Sequence, residues 1–332
     1  MRIGITRQDS FSDFTPTQQL PWSEFFKSLV DEGHEIVSLY SKPDLVIFMN
    51  HHRQPWSKSL SRTTGGLKVL ILWESRVTKP QNFQSENIRD YDLIFTPSSQ
   101  WIAGENVFPF SWPQGKQRSL GVNQAEFLSR DSRPVVFQNN KSSLIEGELY
   151  SLRRELLKEF GEELVVYGKG WNSKVQTLMG IFVAIKNSFR VDGRLKASDL
   201  ENLWVESKNY RGYVTDKNRE LRKFQFNIVV ENSLDYVSEK LFESLWAGCC
   251  VFYVGPALQD FGIPKVALEC QPNVKSLKDM YHYALANPKL VEETRFCAER
   301  FLSSHQFKTM NNEMVLGKLA KDILKQIVHM QK

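Results

Sequence analysis

The segment Lys223–Pro256, KFQFNIVVENSLDYVSEKLFESLWAGCCVFYVGP, decides the architecture of the chain. Phe226 to Val230 is a short apolar run, and Ile228, Val229 and Val230 in succession favour a buried strand. Glu231-Asn232-Ser233-Leu234-Asp235 breaks the run with loop and cap formers. From about Val237 the spacing of Leu241, Leu245 and Trp246 predicts a helix, and Gly248 stands where a left-handed cap would stop it. Cys249 to Val254 predicts a second buried strand, closed by Gly255-Pro256. Two buried strands joined by a helix form a βαβ unit, and such units build parallel sheets.

In an open parallel sheet, ligands bind beyond the carboxyl ends of the strands, where a helix N-terminus offers free N–H groups to an anion. Glu239 and Lys240 fall in the first turn of the expected helix. Lys240 can neutralise a phosphate, Glu239 can accept hydrogen bonds from two ribose hydroxyls, and Tyr236 offers a flat ring and a phenol to a base or sugar. Singly, each residue has an ordinary role as a cap, a solvated charge or a packed ring. Gathered at one strand end, they predict a nucleotide site.

The stretch FNIVVENSLDYVSEKLFESLWAG, followed by VFYVGP, resembles the donor-binding signature of the family 10 fucosyltransferases, the α-1,3/1,4 enzymes. The likeness is long and ungapped there, and extends in outline from residue 68 to 265. It implies a GT-B fold of two Rossmann-like domains facing a cleft, a GDP-fucose donor, inversion at the anomeric carbon and no required metal. It implies an oligosaccharide or glycolipid acceptor, bonded through GlcNAc or Glc. Asn232 of the ENS triplet joins Tyr236, Glu239 and Lys240 in the implied donor site. The family also places a diphosphate-binding arginine in an R-x-x-(F/L) context. Arg153 matches best and Arg154 lies one step away; a guanidinium forks onto phosphate oxygens. Transfer of another sugar from GDP, or a binding module that has lost catalysis, are the alternatives.

Lys68 to Trp73, KVLILW, reads as the central strand of the N-terminal half and stops at Glu74-Ser75. A carboxylate just past such a strand faces the ligand crevice and suits the base that inverting transfer needs to deprotonate the acceptor hydroxyl. In the resembling family an acidic residue in an ES or EN motif has that role, which falls here on Glu74. Gly104-Glu105-Asn106-Val107 imitates the same motif, so Glu105 is the reserve candidate. Asp90-Tyr91-Asp92 imitates a metal-binding DxD but precedes its strand, and His51-His52 is a poor chelating pair because neighbours on an extended segment point apart. Phe108 to Pro113, rich in aromatic residues and proline, either lines the acceptor site or covers the core.

With 332 residues, two domains are expected: 1–132 on the acceptor side, 133–310 for the GDP-sugar, and a C-terminal amphipathic helix over 311–332. That last helix either packs back on the first domain or meets a membrane surface. Residues 171–209 carry no clear motif. Hydrophobic content of 41% with 24% charge is ordinary globular usage, which excludes disorder. A net charge of +5 suits anionic ligands and is too weak to argue for nucleic acid. Four cysteines without CxxC spacing read as reduced core thiols, and Met1 leads directly into the strand-like RIGIT. A soluble, cytoplasmic protein is the expectation.

Overall fold

A computed structural model describes residues 1–6, 22–51, 65–115, 121–173, 178–182, 185 and 206–330. The chain forms two compact units, residues 1–116 with 309–332, and residues 117–308. The division falls upstream of the expected boundary at 132. The helix Gln124–Leu128 buries Phe127 in the second unit's core, which assigns residues 121–132 to that unit.

In the first unit six parallel strands lie in the order β2-β1-β3-β4-β5-β6. They are β1 (Arg2–Ile5), β2 (Glu35–Ile36), β3 (Leu45–Met49), β4 (Leu67–Ile71), β5 (Leu93–Thr96) and β6 (Val107–Pro109). β3 is buried at every position, as its unbroken Leu-Val-Ile-Phe-Met run requires of a strand covered on both faces. One face packs on helix α1 (Ser23–Asp31) and on the C-terminal helix Asn312–Met330. Leu316, Leu319, Ala320, Ile323 and Ile327 of the latter share a core with Trp22, Phe25 and Leu29. This row is the apolar face that sequence periodicity offered to a membrane, and packing against α1 covers it. Among the described residues no helix is long and apolar enough to cross a membrane.

The second unit has five parallel strands, ordered β11-β10-β9-β7-β8. These are β7 (Asp131–Phe137), β8 (Val165–Tyr167), β9 (Phe224–Val230), β10 (Cys250–Val254) and β11 (Leu268–Glu269). β9 is central, paired with β7 and β10. Leu152, Leu156 and Phe160 of the helix Tyr150–Phe160 pack with Val136, Val166, Ile228 and Phe252 of the sheet and with Leu277 and Tyr281 of the helix Val274–Ala286. The helix after β9 spans Glu239–Trp246, starting two residues later than the periodicity suggests because Ser238 is its N-cap. Gly248 ends it at φ +76°, and a Cβ there would sit 2.5 Å from Val122 Cγ2. Most of the unreadable segment 171–209, and His52, lie outside the described residues.

Candidate functional site

Every strand of a wholly parallel sheet ends on the same edge, so the polar terminators of each unit collect there. In the second unit they centre on the turn from β9 into Glu239–Trp246. Glu231, 1% exposed, extends the β9–β10 ladder by donating its N–H to Val254 O at 2.8 Å. Its carboxylate accepts from Ser238 N (2.9 Å) and Ser238 Oγ (2.6 Å), and pairs with Lys240 Nζ at 3.0 Å. Lys240 Nζ also donates to Ser238 Oγ at 2.9 Å. Tyr236 is buried in the loop that precedes the helix, and Glu239 is exposed at the helix start. Gly255 is required by the crowding: a Cβ would lie 2.3 Å from the Tyr253 hydroxyl and 2.8 Å from Glu231 Cγ.

Arg153 reaches the same turn from Tyr150–Phe160. Its Nη2 donates to Val230 O, Glu231 O and Asn232 Oδ1 at 2.8, 2.9 and 2.9 Å, and its guanidinium lies 4.6 Å from the Tyr150 ring centre. Burial pushes the guanidinium's pKa down, opposed by Tyr150, Glu231 and Glu148. Arg154 turns elsewhere, donating to Lys141 O at 2.7 Å. Arg153, Asn232, Tyr236, Glu239 and Lys240 are therefore brought to one strand end, with Arg153 spent on bracing the loop. Gln138, at the end of β7, adds a second donor to Val230 O at 2.8 Å.

At the corresponding edge of the first unit, Glu74 is half-buried three residues beyond β4. Its backbone is held by Asn50, wholly buried at the end of β3 with φ +65°. Asn50 Oδ1 accepts from Trp73 N (2.9 Å), Glu74 N (3.4 Å) and Asn82 Nδ2 (3.2 Å). Trp73 packs against Trp112 at 4.2 Å and Phe110 at 6.1 Å between ring centres, so part of the aromatic segment packs on the residue before Glu74. Glu105 is exposed before the start of β6, the amino edge of the sheet, and is thereby separated from the carboxyl-end residues. Asp92 is structural, accepting from Lys68 N at 2.7 Å. His51 is buried with Nδ1 3.1 Å from the Tyr91 hydroxyl, whose pKa burial pushes up. Among the described residues no three His, Cys, Asp or Glu side chains converge as a metal site.

Two α/β units, each a wholly parallel sheet, are the architecture of the GT-B glycosyltransferases, and solved GT-B structures superpose on nearly the whole chain. Anabaena HepE in complex with UDP-glucose aligns with a TM-score of 0.57 at 8% identity, covering 98% of this chain and 100% of that one. An alpha-glucosyltransferase in complex with UDP and a 13-mer DNA gives 0.53 at 14% identity over 98% and 100%. TarM gives 0.52 at 14% identity over 85% of this chain and 55% of its own. No family model and no curated protein matches the sequence.

Proposed function

We propose that this chain is an inverting, metal-independent glycosyltransferase that takes fucose from GDP-fucose and transfers it to a hydroxyl of an oligosaccharide or glycolipid. The observation that carries the reading is the β9 turn. A capped helix N-terminus and the Lys240 ammonium stand at the carboxyl end of the central strand, beside Asn232 and Tyr236. This is a setting for a diphosphate. The ENS…DYVSEK resemblance supports GDP-fucose as the donor.

In this reading Glu74 removes the proton of the acceptor hydroxyl as its oxygen attacks the anomeric carbon. The bond from that carbon to the diphosphate oxygen breaks, and the electron pair leaves on GDP. Lys240 and the helix N–H groups stabilise the growing charge, the work a metal does in other transferases. Arg153 adds its positive charge from behind the loop. The four free cysteines, two of them wholly buried, support a reducing compartment. A second reading, a UDP-glucose donor, is favoured by the ligand of the HepE complex.

Calorimetric titration in EDTA with GDP-fucose, GDP-mannose and UDP-glucose tests the proposal. Selective GDP-fucose binding is expected. Binding of UDP-glucose alone replaces the donor, and binding only after metal is restored removes the metal-independent mechanism.

A further inference from the structure

We infer that Glu231 is a positioning residue of the donor site, acting on the diphosphate through Lys240. The inference rests on the proposed donor site and deepens it.

Three features carry it. The backbone of Glu231 is pinned from both sides, its N–H on Val254 O and its carbonyl on the Arg153 guanidinium, so the side chain leaves in a fixed direction. The carboxylate then spans the loop. Oε1 takes the Ser238 N–H, and Oε2 takes both the Ser238 hydroxyl and the Lys240 ammonium. One buried group thus closes the 232–237 loop, seats the N-cap of the helix Glu239–Trp246 and holds the lysine. Finally, the Lys240 side chain is only 17% exposed against a Glu231 side chain 1% exposed. The ammonium does not sample solvent freely before a ligand arrives.

The chemical consequence is pre-organisation. A free lysine loses rotamer freedom when it meets a phosphate, whereas Lys240 has already lost it to Glu231 and Ser238. The carboxylate accepts on one side of the ammonium, and the diphosphate can accept on the side left open. Its charge also keeps the site near neutral until the donor brings its own. Of the ENS triplet the sequence pointed to Asn232 alone; this role falls on its first residue, Glu231.

A double-mutant cycle tests the inference, with GDP and UDP as probes in calorimetry on the full chain. Glu231→Gln keeps the shape and removes the charge; Lys240→Met removes the ammonium. Glu231→Gln is expected to weaken binding of the nucleotide that the parent takes by about 10-fold, and by less than about 2-fold in the Lys240→Met background. Equal losses in both backgrounds would overturn it, because a glutamate that only closes the loop acts whether or not the lysine is present. Glu231→Asp, which restores charge on a shorter arm, is expected to recover part of the coupling; no recovery in a variant that melts like the parent counts against it. A parent that binds neither nucleotide removes the donor site itself, and this inference with it. An additive cycle in a parent that does bind removes the inference alone.

Discussion

Replacing Arg153 by Met separates bracing from ligand binding, because Met fills much of the same volume beside Tyr150 and donates nothing. Three acceptors lose the guanidinium. Val230 O keeps Gln138 Nε2 at 2.8 Å, so Glu231 O and Asn232 Oδ1 are the two left unsatisfied. A buried acceptor stripped of its partner costs about 1–3 kcal/mol. Against this stands the relief of burying a charge, the same burial that pushes the Arg153 pKa down. The net loss is about 2–4 kcal/mol, a urea midpoint shift of about 1–2 M at a slope near 2 kcal/mol/M. Equilibrium unfolding in urea, followed by tryptophan fluorescence with nucleotide absent, measures it. Arg153→Lys, a point donor that cannot span the three acceptors, is expected to lie between Met and the parent. A loss below about 1 kcal/mol for Arg153→Met would refute the bracing argument, since it would mean that the two acceptors find water or another donor at little cost.

Gly168→Ala places a Cβ 2.0 Å from Gln138 O at φ +140°, so the ends of β7 and β8 must part; about 2–4 kcal/mol and a melting drop of about 5–15 °C are expected. Gly147→Ala, at φ +84° with nothing within 4 Å, should cost only about 1 kcal/mol, and equal melting drops would sink the steric account. Burial pushes the thiols of Cys249, Cys250 and Cys270 up to about 12, whereas Cys297 is exposed; a disulfide reagent at pH 8 should label one thiol quickly and the other three only on unfolding. Because these folded-state values are raised, the stability they contribute is present below about pH 8.5 and lost as pH rises toward 12, which a denaturation series across that window checks. Glu74→Gln should lower turnover at least about 100-fold with donor affinity within about 2-fold, while Glu105→Gln leaves both unchanged; the reverse pattern in an assay of sugar transfer exchanges their roles.

Strand directions were the legible part of this fold. Leu45–Met49 is apolar throughout and Phe226–Val230 is broken only by Asn227, whose amide donates to Ser244 Oγ at 2.6 Å; only a sheet covered on both faces accommodates such runs. The helix start at Glu239 and the division near residue 117 differ from the sequence expectation for local reasons. Val237 is apolar yet buried in the loop, and the polar Gln114–Ser132 stretch conceals Phe127, a core residue. Periodicity shows which residues are apolar; it does not show which short polar segment wraps a single buried ring into a core.

The site divides along the same line. In each unit a parallel sheet delivers its terminators to one edge, so the placement of Glu74 in the first unit, and of Asn232 and Lys240 in the second, follows from the strand assignment. What does not follow is which terminator faces a ligand and which holds its neighbours. Asn50 and Glu231 look in the sequence like the ordinary polar ends of apolar strands. In space each is buried and fixes a neighbouring strand end or helix start, Asn50 the Trp73–Glu74 backbone and Glu231 the Ser238–Lys240 turn. Arg153 illustrates the converse, a cation of the kind that grips phosphates whose Nη2 bonds go to the loop. Burial sorts them: a buried polar group must find protein partners, so it is committed to bracing before any ligand arrives. The more exposed groups, Glu239, the half-buried Glu74 and Lys240 with its side chain 17% exposed, are the ones to which the proposed function gives ligand and proton-transfer roles.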